Sequence, residues 1–471
     1  MPRAWITPLT TSLLLASANV SADQYLARVT PALDEVRVEA CFEPFPDNLY
    51  AGERLRESLD TLYLNGQRVE AEFGRYTLDL PDEPSGGCLA YTTALENRGQ
   101  RWLELRGGVR VTDPRDWLLM PWKGSMAELR FELPEGMAVS TPWPRSGDGQ
   151  SYRLGLTDPY WKAAVAIGRF HAGQVRAGGT RLRLAVLPGS GGPDIAETRA
   201  WVTEAANAVG AVHGRMPFNE PQVMVVPIGR SDEPTPYARV LRGGGVGLQF
   251  FVDPTRPARE FSADWTATHE FSHLLLPYVS RNDAWLSEGL ASYYQNVLRS
   301  RDGRLSQRRA WSQLLGGFER GRRGARSGYT LDEAAKTWSG RGATMRIYWS
   351  GAAIMLKADV ELRRQSDGRM SLDTALAEFA ECCVSPGRVW RADELMQRLD
   401  RVTGTRVFSN LRQRYERADE FPDVATTLRR LGVVVGRFVW VVCLCGGVVV
   451  FWVVFFLLVV VVLFFFFFGF V

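Results

Sequence analysis

His269-Glu270-Phe271-Ser272-His273 places two of the chain's four histidines within five of its 471 residues. On a helix, positions i and i+4 lie one above the other on the same face. Two imidazoles so placed can hold one divalent ion, and the carboxylate between them can reach a water on that ion. The flanks read as a helix. Ser262 or Asp264 is a candidate cap, Leu274-Leu275-Leu276 lies near the end, and Pro277 stops it. Upstream, residues 223–226 and 248–252 read as two short apolar strands, with the glycine-rich stretch Arg242-Gly243-Gly244-Gly245-Val246-Gly247 between them.

The pentapeptide is the HExxH pattern of zinc peptidases. A catalytic zinc takes three protein ligands and keeps a fourth position for water. His269 and His273 supply two, so one Zn2+ is expected with a third ligand elsewhere. His171 and His213 show no ligand spacing and read as structural. The best third candidate is Glu288, in Trp285-Leu286-Ser287-Glu288-Gly289-Leu290-Ala291, on a second helix after a loop over 277–283. In this reading Glu270 is the general base. It takes a proton from the attacking water and passes it to the leaving amine. A further donor is wanted for the oxyanion.

Trp285-Leu286-Ser287-Glu288-Gly289 resembles the WLNEG-like segment of gluzincin aminopeptidases, which carries the third zinc ligand. Tyr348-Trp349-Ser350-Gly351-Ala352 resembles their YxxGA segment, and that resemblance makes Tyr348 the oxyanion donor. The run Glu361-Leu362-Arg363-Arg364 through Ser371-Leu372-Asp373 looks most like the glycyl aminopeptidase family, whose members are often exported. The resemblance covers about 195–433 and implies a thermolysin-like zincin fold. Two departures stand out. Only residues 274–287 separate His273 from Glu288, fewer than is usual in these families. Where the alanyl aminopeptidases carry a GAMEN-like strand, whose glutamate holds the substrate's amino terminus, Gly243, Gly244, Gly245, Val246 and Gly247 offer no carboxylate. Their backbone is the expected substrate-binding edge, by strand addition. A plain hairpin turn is the other reading of these glycines, and exo- and endopeptidase action both stay open.

An α+β protein is expected, with a β-sandwich-like N-terminal domain over 23–188, a zincin domain over 194–300 and a helical region over 301–432 completing the site. Leu129, Phe131 and Leu133 alternate with charged residues, and Leu182, Leu184 and Val186 repeat that period of two. Gly107-Gly108 looks like a hairpin turn. Asp194 is a candidate cap for a helix starting at Ile195. From about Ser287 the chain is mainly helical, with helices expected over 352–362, 372–379, 392–399 and 407–415.

Net charge is +4 with both signs mixed, and no basic-aromatic patch suggests nucleic acid. A peptide or protein is the expected partner. Residues 1–22 read as a secretory signal, with Arg3, an apolar stretch and the small residues Val20-Ser21-Ala22. This places the mature protein in the periplasm or outside the cell. There Cys41 and Cys88 would pair, with a stabilisation of about 4 kcal/mol. Cys382 and Cys383 are adjacent and are not expected to bridge each other. Residues 438–471 contain only Phe, Val, Trp, Cys, Leu and Gly, the set encoded by codons of G and T alone. The stretch exceeds the roughly 20 residues that span a bilayer. An anchor would put Arg429, Arg430 and Arg437 on the wrong side of it, so translation of a spurious G/T stretch is the favoured reading. A membrane role, including that of an anchored sheddase, depends on this tail being genuine. The other alternative is a non-catalytic binding or scaffold protein on a gluzincin frame. Glu270 argues against it, because a structural metal site needs no base.

Overall fold

In the computed structural model, the described residues are 23–59, 61–70, 72–80, 85–95, 108–121, 126–147, 149–155, 162–189, 194–325, 328–338, 342–384 and 387–433. The signal and the tail fall outside them, as does Gly107 of the expected turn. The chain divides into two compact units: residues 1–95, 115–133 and 145–159 in one, and 96–114, 134–144 and 160–471 in the other.

Among the described residues, the regular elements of the first unit are strands apart from a short helix and a 3-10 turn. Its large sheet runs in the order Ser151–Gly155, Met126–Glu132, Asp23–Val29, Glu35–Phe42, Gly87–Ala94, Leu62–Leu64, Gln67–Val69. The alternation around Leu129 is that of a half-buried strand, with Ala127 and Leu129 inward and Met126 and Arg130 outward. Tyr25 and Tyr91 reach from this sheet's buried face to the carbonyls of Leu119 and Trp117, at 3.1 and 3.2 Å. That segment leads into the smaller four-stranded sheet of the sandwich-like unit. Cys41 and Cys88 are directly opposed in register and form the expected disulfide.

The second unit is built on a five-stranded sheet ordered His171–Ala177, Thr180–Val186, Gln222–Pro227, Gly247–Val252, Tyr237–Leu241. The three middle strands are parallel, and Tyr237–Leu241 is an antiparallel edge. Every residue of Gln222–Pro227 and Gly247–Val252 is buried, which explains apolar runs without alternation. Two strands that the sequence assigned to the N-terminal domain, His171–Ala177 and Thr180–Val186, hydrogen-bond into this sheet instead. The described part of the breaker cluster, residues 187–189, therefore follows a strand of the second unit's own sheet. Among the described residues the expected division near 300 is absent too: one core cluster runs from Val175 to Val433.

Helix Ile195–Gly210 starts at Asp194, which forms a capping box with Glu197. Its Trp201 packs on Phe250 of the sheet and on Phe261. Ser262 lies inside a short preceding helix, Ala258–Ala263, so it caps nothing. Asp264 sits at the junction, where its carboxylate accepts from the backbone of Trp265 and Thr266. The motif helix is Thr266–Ser272, continued by a 3-10 turn, and the chain is extended at Leu276 before Pro277. Beyond it, helices Ala284–Arg301 and Ala343–Gln365 pack tightly. A Cβ on Gly351 would lie 1.9 Å from the Trp285 carbonyl oxygen, and one on Gly289 would lie 2.3 Å from the Gly351 Cα. Only glycines permit that backbone contact. Against expectation, Cys382 and Cys383 are bonded to each other. They end helix Leu372–Cys383 where the chain leaves it in extended form at Val384, and this exit permits a ring between neighbours.

Candidate active site

His269 and His273 lie on one face of the motif helix and its 3-10 extension, with ring centroids 5.0 Å apart. Glu288 is in the second turn of helix Ala284–Arg301, and the tight connection does return it to both imidazoles. Its Oε2 lies 3.3 Å from His269 Nε2 and 3.6 Å from His273 Nε2. Among the described residues these three form a group able to hold a metal ion, with their donor atoms within 4.8 Å of one another. Tetrahedral ligands at zinc distances of roughly 2.0–2.2 Å would stand about 3.3–3.6 Å apart. The donor set thus fits zinc in kind, and the two distances from Glu288 fit its spacing.

Each imidazole is oriented by a residue that the sequence reading missed. His269 Nδ1 donates to Gln295 Oε1 at 2.8 Å, and His273 Nδ1 is hydrogen-bonded to Ser287 Oγ at 2.9 Å. Both bonds use Nδ1 and leave Nε2 turned toward Glu288, whose Oε2 accepts from His269 Nε2. The signal was present in principle, since Gln295 is seven residues beyond Glu288 and shares its helix face. Metal-oriented partners of this kind typically control affinity by 10- to 100-fold, so Gln295→Leu should weaken zinc binding by about that factor. Chelator competition measures it, and an unchanged dissociation constant would show the bond to be idle.

Glu270 is buried beside the donors without joining them. Burial, with the charge of Glu288, pushes its carboxyl up to about 7 against the pull of His269. Burial would raise Glu288 as well, but the two histidines and a hydrogen bond from Tyr348 hold it below its ordinary value. Burial works to lower His269, yet Glu288 and Glu270 outweigh it and raise that imidazole. In His273 burial prevails and lowers the ring to about 4. Tyr348 stacks on His269 with centroids 5.8 Å apart and planes 8° from parallel. Burial and the neighbouring carboxylates raise its phenol, so it stays protonated and keeps a proton to donate.

The remaining histidines stand apart from this group. His171 is exposed on the outermost strand, and His213 is kept neutral by burial, its pKa lowered to about 4. The glycine-rich stretch links the antiparallel strands Tyr237–Leu241 and Gly247–Val252, so the hairpin reading of these glycines holds and the free substrate edge does not. Gly243 N–H donates to Lys162 O at 3.0 Å, and its carbonyl accepts from Trp143 Nε1 at 3.0 Å. A Cβ on Gly245 would lie 2.2 Å from the Pro142 oxygen, and Val246 O accepts from Gln222 N–H. The glycines serve close internal packing. Arg242 before them is buried over Phe218, and its Nη2 donates to the carbonyls of His273 and Leu276, fastening the end of the motif helix. The edge left at this end of the sheet is Tyr237–Leu241.

Among solved structures, an aminopeptidase N family protein from Idiomarina loihiensis matches with a TM-score of 0.67 at 15% identity, over 88% of this chain and 79% of that one. The M1 zinc metallopeptidase of Deinococcus radiodurans matches with a TM-score of 0.52 at 15% identity, over 86% and 94%. The chain has the M1 metallopeptidase fold. The yeast LTA4 hydrolase shares this fold with it at 11% identity and a TM-score of 0.52, over 83% of this chain and 65% of that one. A mutant of the Deinococcus enzyme was solved with a Tyr-Ser-Ala substrate. No protein-family model matches the chain, and no curated protein does. The M1 fold agrees with the gluzincin frame expected from HExxH and Glu288. The narrower likeness to glycyl aminopeptidases rests on the sequence motifs.

Proposed function

We propose that this chain is an exported zinc metallopeptidase that hydrolyses peptide bonds with Glu270 as general base. One observation carries the reading: His269, His273 and Glu288 converge at zinc spacing with a separate buried carboxyl, Glu270, beside them. A scaffold on the same frame would have no use for that carboxyl, because keeping it buried costs stability without helping to hold a metal.

A bound zinc would supply Lewis acidity toward the substrate carbonyl and a water acidic enough to attack near neutral pH. The rest belongs to the chain's own side chains. Glu270, held near neutrality by burial, accepts a proton from the attacking water and delivers it to the leaving nitrogen. Tyr348 O–H donates to the oxygen on which negative charge develops. Gln295 and Ser287 keep both imidazoles in the tautomer that presents Nε2. An extended peptide could pair with the edge strand Tyr237–Leu241. The tripeptide bound to the Deinococcus enzyme supports a peptide as substrate. The Cys41–Cys88 bond, together with the apolar leader, supports an oxidising compartment outside the cytoplasm.

The test combines metal analysis with a peptide-library digest in which both new termini are mapped. We expect one zinc per chain, cleavage abolished by chelation and restored by zinc, and a terminus pattern that separates exo- from endopeptidase action. Purified folded protein that takes up no zinc and cuts no peptide would overturn the proposal.

A further inference from the structure

We propose that Trp265 and Tyr237 wall a subsite next to the metal position, and that it selects peptide substrates with an aromatic or large aliphatic side chain beside the scissile bond. This inference deepens the peptidase reading and rests on it. Trp265, His269 and His273 are spaced i, i+4, i+8, so their side chains follow one another along a single face. The Trp265 and His269 rings stand 5.3 Å apart and nearly perpendicular, and the next step to His273 is 5.0 Å. The line of rings thus runs from one candidate ligand through the other to the indole.

Trp265 as a residue is 39% exposed, whereas Trp201 and Trp285 on neighbouring helices are 3% and 0% exposed. Tyr237 is 42% exposed at the start of the edge strand, with its ring leaning on Phe251. A hydrogen bond from Thr266 Oγ1 to Thr235 O joins the start of that strand to the start of the motif helix. Tyr237 is also near enough to Tyr348 for the two phenols to interact electrostatically. Two partly exposed aromatic residues therefore stand beside the candidate site, Trp265 against His269 and Tyr237 near Tyr348 on the edge along which a peptide could pair. Arg239 also lies over the Phe251 ring on which Tyr237 leans, at 5.6 Å. The two rings themselves offer apolar faces, which favour an aromatic or aliphatic side chain packed against them.

The test uses peptides that differ only in the residue on either side of the cleaved bond (Phe, Leu, Ala, Gly or Lys). They are cut by wild type, Trp265→Ala, Trp265→Phe and Tyr237→Ala, with kcat and KM separated and zinc content checked. The same peptides are titrated calorimetrically into zinc-loaded Glu270→Gln, with and without Trp265→Ala. Wild type should favour Phe or Leu over Ala at one position, and Trp265→Ala should shrink that preference about 10- to 100-fold, chiefly through KM. Trp265→Phe should restore most of it, and binding to the inactive protein should follow the same order. A uniform loss across all peptides would make Trp265 a shield for His269 and overturn the proposal. So would an unchanged profile, or a wild-type preference for Gly or Lys. Cleavage with such a profile sinks this inference alone; no cleavage and no binding sinks the peptidase reading with it.

Discussion

Glu270→Gln abolishes cleavage by at least about 10³-fold while the protein keeps its zinc and its fold. The amide has nearly the size of the carboxylate, so the packed surroundings accept it. It cannot take a proton from water, so the transfer to the leaving nitrogen is lost. Retention of metal follows because the donor atoms are those of His269, His273 and Glu288, and Glu270 is not among them. A pH profile gives a second check. The base must be ionised, so kcat/KM falls as pH drops through its pKa. Burial pushes that pKa from 4.5 up to about 7 without a metal, and a dication beside it would draw it back down. The acid limb is therefore expected between those two values, and Glu270→Gln should lack it. Equal cleavage by the two proteins, measured at matched zinc content, would remove Glu270 from the mechanism.

The parts of the site legible in the sequence were those governed by helix geometry. Two histidines at i and i+4 need only a helix to share a face, and the helix was announced by its flanks. Glu288 was reachable through its resemblance to a known segment, although the short connection argued against it. The structure resolves that tension with strand Tyr278–Val279 and a 3-10 turn, Arg281–Asp283, which together reverse the chain compactly before helix Ala284–Arg301. Helices Leu372–Cys383, Ala392–Thr403 and Val407–Tyr415 were placed well, whereas Ala343–Gln365 was foreseen only over 352–362 and Gln307–Ala325 was not singled out.

What was not legible depends on contacts between residues distant in the chain. Gly243 and Gly245 have the composition of an open, flexible strand end. Only the approach of Pro142 and Trp143, about a hundred residues earlier, turns them into a packed layer. Arg242 reads as a surface charge until the carbonyls of His273 and Leu276 are brought to it. The domain boundary was misjudged for a related reason. A breaker cluster signals a loop but not whether the strands on its two sides share a sheet, and here Thr180–Val186 pairs with Gln222–Pro227 across it. The two glycines behind the site, Gly289 and Gly351, were noticed only as letters in motifs. Their work is to let two helices touch.

Tyr348→Phe lowers kcat by about 10²–10³ with little change in KM. Phenylalanine keeps the ring that stacks on His269 and lacks only the hydroxyl. In the resting site that hydroxyl donates to Glu288. Once a metal engages the carboxylate, the donor is available to an oxygen of the substrate. A hydrogen bond that strengthens only as charge develops contributes to the transition state and hardly to substrate binding, so its loss falls on kcat. The raised phenol excludes the converse role: Tyr348 stays protonated across the working pH range and cannot serve as the base. The variant should accordingly keep the acid limb set by Glu270 unshifted, a readout that a general loosening of the site would not preserve. A rise in KM at constant kcat would instead assign Tyr348 to substrate binding, and an unchanged rate would place the oxyanion donor on another side chain.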